Sequence, residues 1–180
     1  MNFDLPNAIQ ILDRTPQTLK SMLTGLSDNW IRATEGPETW SPYDVIGHLI
    51  HGEKTDWIAR LDIILSDKAE RKFVPFDRFA QFDESNGKTL DQLLTDFAEL
   101  RHKNLAILRS KNIQPSDYSR TAIHPALGEV TLGNLISTWV VHDLDHLYQI
   151  SRVMALQYRE EVGPWVAYLR ILKPGQKSHS

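Results

Sequence analysis

The 180-residue chain contains no cysteine. Disulfides, thiolate metal sites and cysteine nucleophiles are thereby excluded, and any bound metal must be held by nitrogen and oxygen donors. No apolar run approaches the roughly 20 residues of a membrane-spanning helix. The opening stretch, "MNFDLPNAIQ", lacks the basic region and apolar core of a secretory signal. The formal net charge is −3 and the basic residues form no block, which argues against nucleic acid and anionic membrane as partners. Together these absences set the expectation of a cytoplasmic protein that acts on a small molecule. The length suffices for one domain whose core needs neither disulfide nor structural metal. A metal site in such a chain would serve chemistry rather than rescue a weak core.

What is present is helical periodicity nearly throughout. Ile9, Leu12, Leu19, Leu23 and Leu26 recur at helical spacing, and Pro16 is expected to kink or restart that first helix. A second helix opens at "SPYD", where Ser41 can cap, Pro42 fits the first helical position and Asp44 complements the positive helix end. It is expected to run to about Leu65. The long stretch "FVPFDRFAQFDESNGK" reads as a crossover or functional loop. A third helix spans about Thr89 to Ser110, with Leu90, Leu93, Leu94, Phe97, Leu100 and Leu108 as its stripe. "SRTAIHPALGEVTL" suggests a short hairpin, and a fourth helix runs from about Thr131 to Gln157. A Gly-Pro break and a short apolar C-terminal helix follow. The expected fold is an all-α four-helix bundle with a long connection, one domain over residues 1–172, and a disordered tail over 173–180.

Seven histidines are present, and "VVHDLDHLYQI" places two of them four residues apart. On a helix turning about 100° per residue, His146 falls inside the stripe of Leu135, Ile136, Trp139, Ile150 and Val153, and His142 falls at its edge. His48 falls on the inward face of the second helix with Val45 and Leu49. Gly52, one turn on, is expected to leave room beside it, and His51 projects nearer the edge. Three inward imidazoles on two helices suit zinc, nickel or iron and leave a coordination position open. The alternative is that they are hydrogen-bonded core residues. Glu53 and Asp143 are the candidate acid–base groups: Glu53 as a proton shuttle or a surface ion pair, Asp143 as an orienting residue or direct ligand. Asp145 reads as a solvated helix carboxylate. His124 reads as a turn residue that can reach the mouth of the site, His102 as exposed, and His179 lies in the tail.

The segments "WSPYDVIGHLIHGEKTDW", "PFDRF", "GKTLDQLLTDF", "HPALGEVTLGNLI" and "HDLDHLYQI" resemble, in order and combination, the DinB/YfiT-like superfamily over nearly the whole chain. The resemblance implies a four-helix bundle, often dimeric, with a divalent metal on three histidines, which map to His48, His142 and His146. It further implies either transfer of a low-molecular-weight thiol, as a co-substrate, to an electrophile or metal-dependent hydrolysis, with non-catalytic metal or ligand binding as a third reading. The thiol transferase is the first expectation. The apolar tail, with Val162, Trp165, Val166, Leu169 and Ile171, is expected either to cover its own bundle or to meet a second copy in a homodimer.

Overall fold

The computed structural model describes residues 3–77 and 79–173. Its long elements are α1 (Leu5–Leu23), α3 (Pro42–Thr55) continued by α4 (Trp57–Leu65), α6 (Leu90–Ser110) and α7 (Leu132–Leu156). Two short helices, α2 (Asp28–Ile31) and α5 (Ala80–Ser85), lie in the connections. The helix starts follow local sequence. Ser41 with Asp44, Thr89 with Gln92, and Thr131 with Asn134 each form a reciprocal capping box that satisfies orphan N–H groups. Among the described residues no helix is long and apolar enough to cross a membrane.

The helix order around the bundle is not sequential. Helix α1 packs on α6 and α7, and α3 with α4 packs on the same two helices. The first two long helices therefore sit diagonally, and successive elements cross the bundle rather than hairpin beside each other. Two apolar clusters form the core. One gathers Leu12, Trp57, Leu61, Leu105 and Trp139; the other gathers Leu19, Leu49, Leu93, Phe97 and Ile150. Along α3, α6 and α7 the residues between these clusters are polar and buried: Glu53, Arg101, Asn104 and Asp143.

Two elements depart from expectation. Pro16 does not restart the helix, since α1 runs through it from Leu5 to Leu23. The N–H that proline lacks would have bonded the Leu12 carbonyl, and that carbonyl instead accepts from Arg101 Nη1 at 2.8 Å. The second helix does not run unbroken to Leu65. It is interrupted at Asp56 (φ −110°, ψ −68°), after which Trp57 packs back over Gly52. A Cβ on Gly52 would lie 3.3 Å from Trp57 Nε1, so the space next to this glycine admits the indole. Gly47 serves a similar end: a side chain there would collide with Ser85 of α5.

The expected hairpin is present as β1 (Thr121–His124) paired antiparallel with β2 (Gly128–Thr131). The long connection joins its edge: Ile123 N–H donates to the Arg71 carbonyl at 2.7 Å and Phe73 N–H to the Ile123 carbonyl at 2.9 Å. This anchors the segment that carries Phe73, Pro75 and Phe76. After α7, short 3-10 turns cover Gly163–Ala167 and Arg170–Leu172. Leu172 is buried, whereas Trp165, Tyr168 and Leu169 are exposed. The tail thus packs on its own bundle only in part, and the expected disorder beyond Lys173 lies outside the described residues.

Candidate metal centre

His48 on α3 and His142 and His146 on α7 meet across the bundle. His142 Nε2 lies 3.0 Å from His48 Nε2 and 3.1 Å from His146 Nε2. Two nitrogens bound tetrahedrally to one ion at about 2.0–2.1 Å stand about 3.3 Å apart, so the rings are spaced nearly as shared coordination requires. Among the described residues they are the one group of three such donors within 4.8 Å of one another. The packing of α3 on α7 thus brings together the three candidate ligands that helical phasing placed on inward faces.

The protonation chemistry suits a cation. His146 Nδ1 donates to Gln149 Oε1 at 2.8 Å, one turn on along α7, which leaves the Nε2 lone pair facing the other rings. Burial, and then the neighbouring His146, His48 and Arg101, push His142 down to about 2. Burial also lowers His146. His142 and His146 are therefore neutral donors near neutral pH. His142 Nδ1 is buried without a hydrogen-bond partner among the described residues. A divalent cation fits this donor set.

The surroundings fix the rings. Trp40 lies 4.8 Å from His48 and stacks at 6.4 Å on His146, centroid to centroid. Phe76, delivered by the long connection, meets His48 and His51 edge-on. Trp57 meets His142 edge-on and stacks on Trp139. His51 is buried and belongs elsewhere, its Nδ1 lying 3.0 Å from Glu84 Oε1.

Glu53 and Asp143 lie in the polar layer, and Arg101 of α6 joins them. Arg101 donates from Nε and Nη2 to Glu53 Oε1, at 3.0 and 2.8 Å, and from Nη1 and Nη2 to the two Asp143 oxygens. Asn104 Nδ2 and Trp139 Nε1 also donate to Glu53, at 2.9 and 3.0 Å. Burial holds Glu53 above the usual carboxylate range, with Arg101 and Asn104 opposing it. Every hydrogen-bond partner of its carboxyl oxygens is a donor, which is the environment of an ionised group. One guanidinium between two carboxylates leaves a formal charge of −1 at the helix position next to His142, and this favours a cation at the three rings.

Sequence reasoning missed Arg101. The signal was its position: it continues the Leu93, Leu94, Phe97, Leu105, Leu108 stripe of α6, where only a paired charge is tolerated. The three rings open on a cavity of about 610 Å³ whose walls include Trp40, Trp57, Phe73, Phe76, Leu127 and Leu135. Asp56, Asp145 and His124 also line it. His124 combines both roles considered for it, because its Nδ1 accepts from the Ala126 and Leu127 backbone N–H groups in the hairpin turn. His102 is exposed, and His179 lies outside the described residues.

The buried neutral rings make metal-free stability depend on pH. Histidine in an unfolded chain titrates near 6.5. With His142 held at about 2, the unfolded state binds the extra proton below 6.5. Stability is thus fully present above that pH and falls by up to about 1.4 kcal/mol per unit as pH drops below it. Asp56, raised to about 6 by burial, acts in the opposite direction between about 6 and 3.8. Urea unfolding of the metal-free protein from pH 8 to 5 is expected to show a falling midpoint, with a shallower fall in His142→Gln. Equal pH slopes would contradict the assignment.

Fold and site together define a helical-bundle protein with an open three-histidine centre. The family model of the DinB superfamily matches residues 11–150, and the chain belongs to that superfamily. Among solved structures it is similar to YfiT from Bacillus subtilis, described as a probable metal-dependent hydrolase with an unusual four-helix bundle topology. The two share 21% identity and superpose with a TM-score of 0.71 over 84% of this chain and 86% of that one. The similarity bears on the fold. No curated protein matches the chain.

Proposed function

We propose that this protein is a divalent-metal-dependent hydrolase of a small, largely apolar substrate. The observation that carries the reading is the convergence of three imidazole nitrogens on one cavity with aromatic and aliphatic walls. The likeness to YfiT supports the reaction class. His48, His142 and His146 would hold the metal, and a cation bound there would supply Lewis-acid polarisation of the substrate's carbonyl or phosphoryl oxygen and activation of water.

The chain's own groups take distinct parts. Trp40 and Phe76 cover the rings and restrict water. Glu53 and Asp143 act through Arg101, Trp139 and the helix they brace; they position the centre and supply negative charge. Of the two carboxylates that line the cavity, Asp56 is paired with Arg60, whereas Asp145 has no ion pair among the described residues. Asp145, exposed and adjacent in sequence to His146, is therefore the candidate to accept a proton from attacking water. Tyr168, Leu169 and Trp165 are the apolar side chains a second copy would cover in a homodimer.

The test is turnover of a panel of aryl esters, amides and phosphoesters by protein loaded separately with zinc, nickel and iron. Hydrolysis that chelation removes and metal restores is expected, and Asp145→Asn should lower kcat by about 10²-fold or more. Turnover only with an added low-molecular-weight thiol would replace hydrolysis by thiol transfer. Metal binding with no turnover of either kind would leave a binding protein.

A further inference from the structure

The cavity has a second chemical feature at a distance from the histidines. His48, Gly52, Asp56 and Arg60 follow one another at intervals of four along α3 and α4, and all four line it. Four-residue spacing puts them on one rib, so the rib leads from the three rings to Arg60. Arg60 is ion-paired through Nε with Asp56 one turn earlier, and its guanidinium lies over the Phe73 ring, 5.0 Å from the centroid. Asp56 and Phe73 thus hold the fork from two sides. The two Nη groups, which carry four of the five N–H donors, bond no other side chain or carbonyl among the described residues.

Such a fork on a cavity wall matches a carboxylate or another planar anion. The charge elsewhere in the site sets the direction in which an anionic ligand would lie. Asp145 and the net negative Glu53–Arg101–Asp143 layer flank the histidine end, so an anion is disfavoured there in the metal-free protein. At the Arg60 end, His124 accepts two backbone N–H groups at Nδ1, which places its own proton on Nε2 and adds a second donor. Asp56 lies eight residues beyond His48, about 12 Å along a helix axis. The arginine side chain leans back toward that turn. Between the two ends the walls are apolar.

We infer that Arg60 is the anion-recognising residue of this cavity, and that the substrates are small carboxylates whose acidic group lies about 10 Å from the bond that reaches the histidines, with an apolar or aromatic body between. This rests on reading the cavity as the substrate site. Asp56 orients the guanidinium and also competes for it, which gives the assignment a directional signature.

The experiment is calorimetry of 3-phenylpropionate and 3-phenylpropanamide, nearly equal in shape, binding to metal-free protein at pH 8. The acid is expected to bind the wild type about tenfold or more tighter than the amide. That ratio should fall to about one in Arg60→Gln, survive in part in Arg60→Lys, and rise in Asp56→Asn, where the competing carboxylate is gone. The measurement uses metal-free protein, so failure of metal binding or of hydrolysis leaves it intact. A wild type that does not prefer the acid, through equal binding or through none, overturns the inference. So does a preference that persists in Arg60→Gln or falls in Asp56→Asn; the last holds even if Arg60→Gln does not fold.

Discussion

Replacing His146 with alanine is expected to weaken divalent-metal binding by well over about 100-fold, while the far-ultraviolet circular dichroism of the bundle stays nearly unchanged. The first half follows from geometry. His146 Nε2 is one of three donors, and the ring is held by Gln149 on one side and Trp40 on the other. Losing an orienting partner of a ligand costs about 10–100-fold in affinity. Gln149→Ala should fall in that range, and loss of the ligand itself should exceed it. The second half follows from the core. Two apolar clusters span the helices on either side of the polar layer, and neither depends on a metal. Competition against a chromogenic chelator measures the affinities. Collapse of the helical signal in metal-free His146→Ala would make the centre structural and remove the basis for a catalytic role.

Arg101→Met is expected to be the most destabilising single change in the site, by about 3–5 kcal/mol. Arg101 is 1% exposed and holds two buried carboxylates on two other helices, together with the Leu12 carbonyl that Pro16 leaves without its usual partner. Removing the guanidinium strands Asp143 and the Leu12 carbonyl and takes from Glu53 its counter-charge, leaving it only the neutral donors Asn104 and Trp139. Adding Glu53→Gln and Asp143→Asn should recover part of the loss, because a neutral layer costs less than an uncompensated charged one. Chemical denaturation of the single and triple variants decides this. A single variant within 1 kcal/mol of wild type (an estimate set by the usual range for surface changes) would show that the layer does not brace the bundle.

The legibility of this site followed from which interactions are local. The capping boxes of α3, α6 and α7 and the inward phases of His48, His142 and His146 depend on residues within a turn or two, and those were readable. What escaped depended on contacts between helices. Locally Pro16 predicts a kink or a restart, because its compensating donor, Arg101, comes 85 positions later. The role of Gly52 beside Trp57 depends on a bend at Asp56 that no local signal announced. Helical phase puts Asp143 near the inward face but Glu53 off the centre of its stripe; that both are buried, with Arg101 occupying their oxygens, is a fact of tertiary packing. Hydrophobicity predicts Leu100 on the α6 stripe, whereas it is only partly buried and the charged Arg101 lies deeper. Helical phase predicts Asp145 as solvated, and it is exposed, but into the cavity.

The central claim is that these three imidazoles form one open metal centre. X-ray absorption spectroscopy of the zinc-loaded protein tests it most directly. The expected spectrum has three imidazole nitrogens at about 2.0–2.1 Å and one further light-atom ligand, with one imidazole lost in His48→Ala and in His142→Ala alike. A first shell with fewer than three imidazoles, or one unchanged by either substitution, would contradict it.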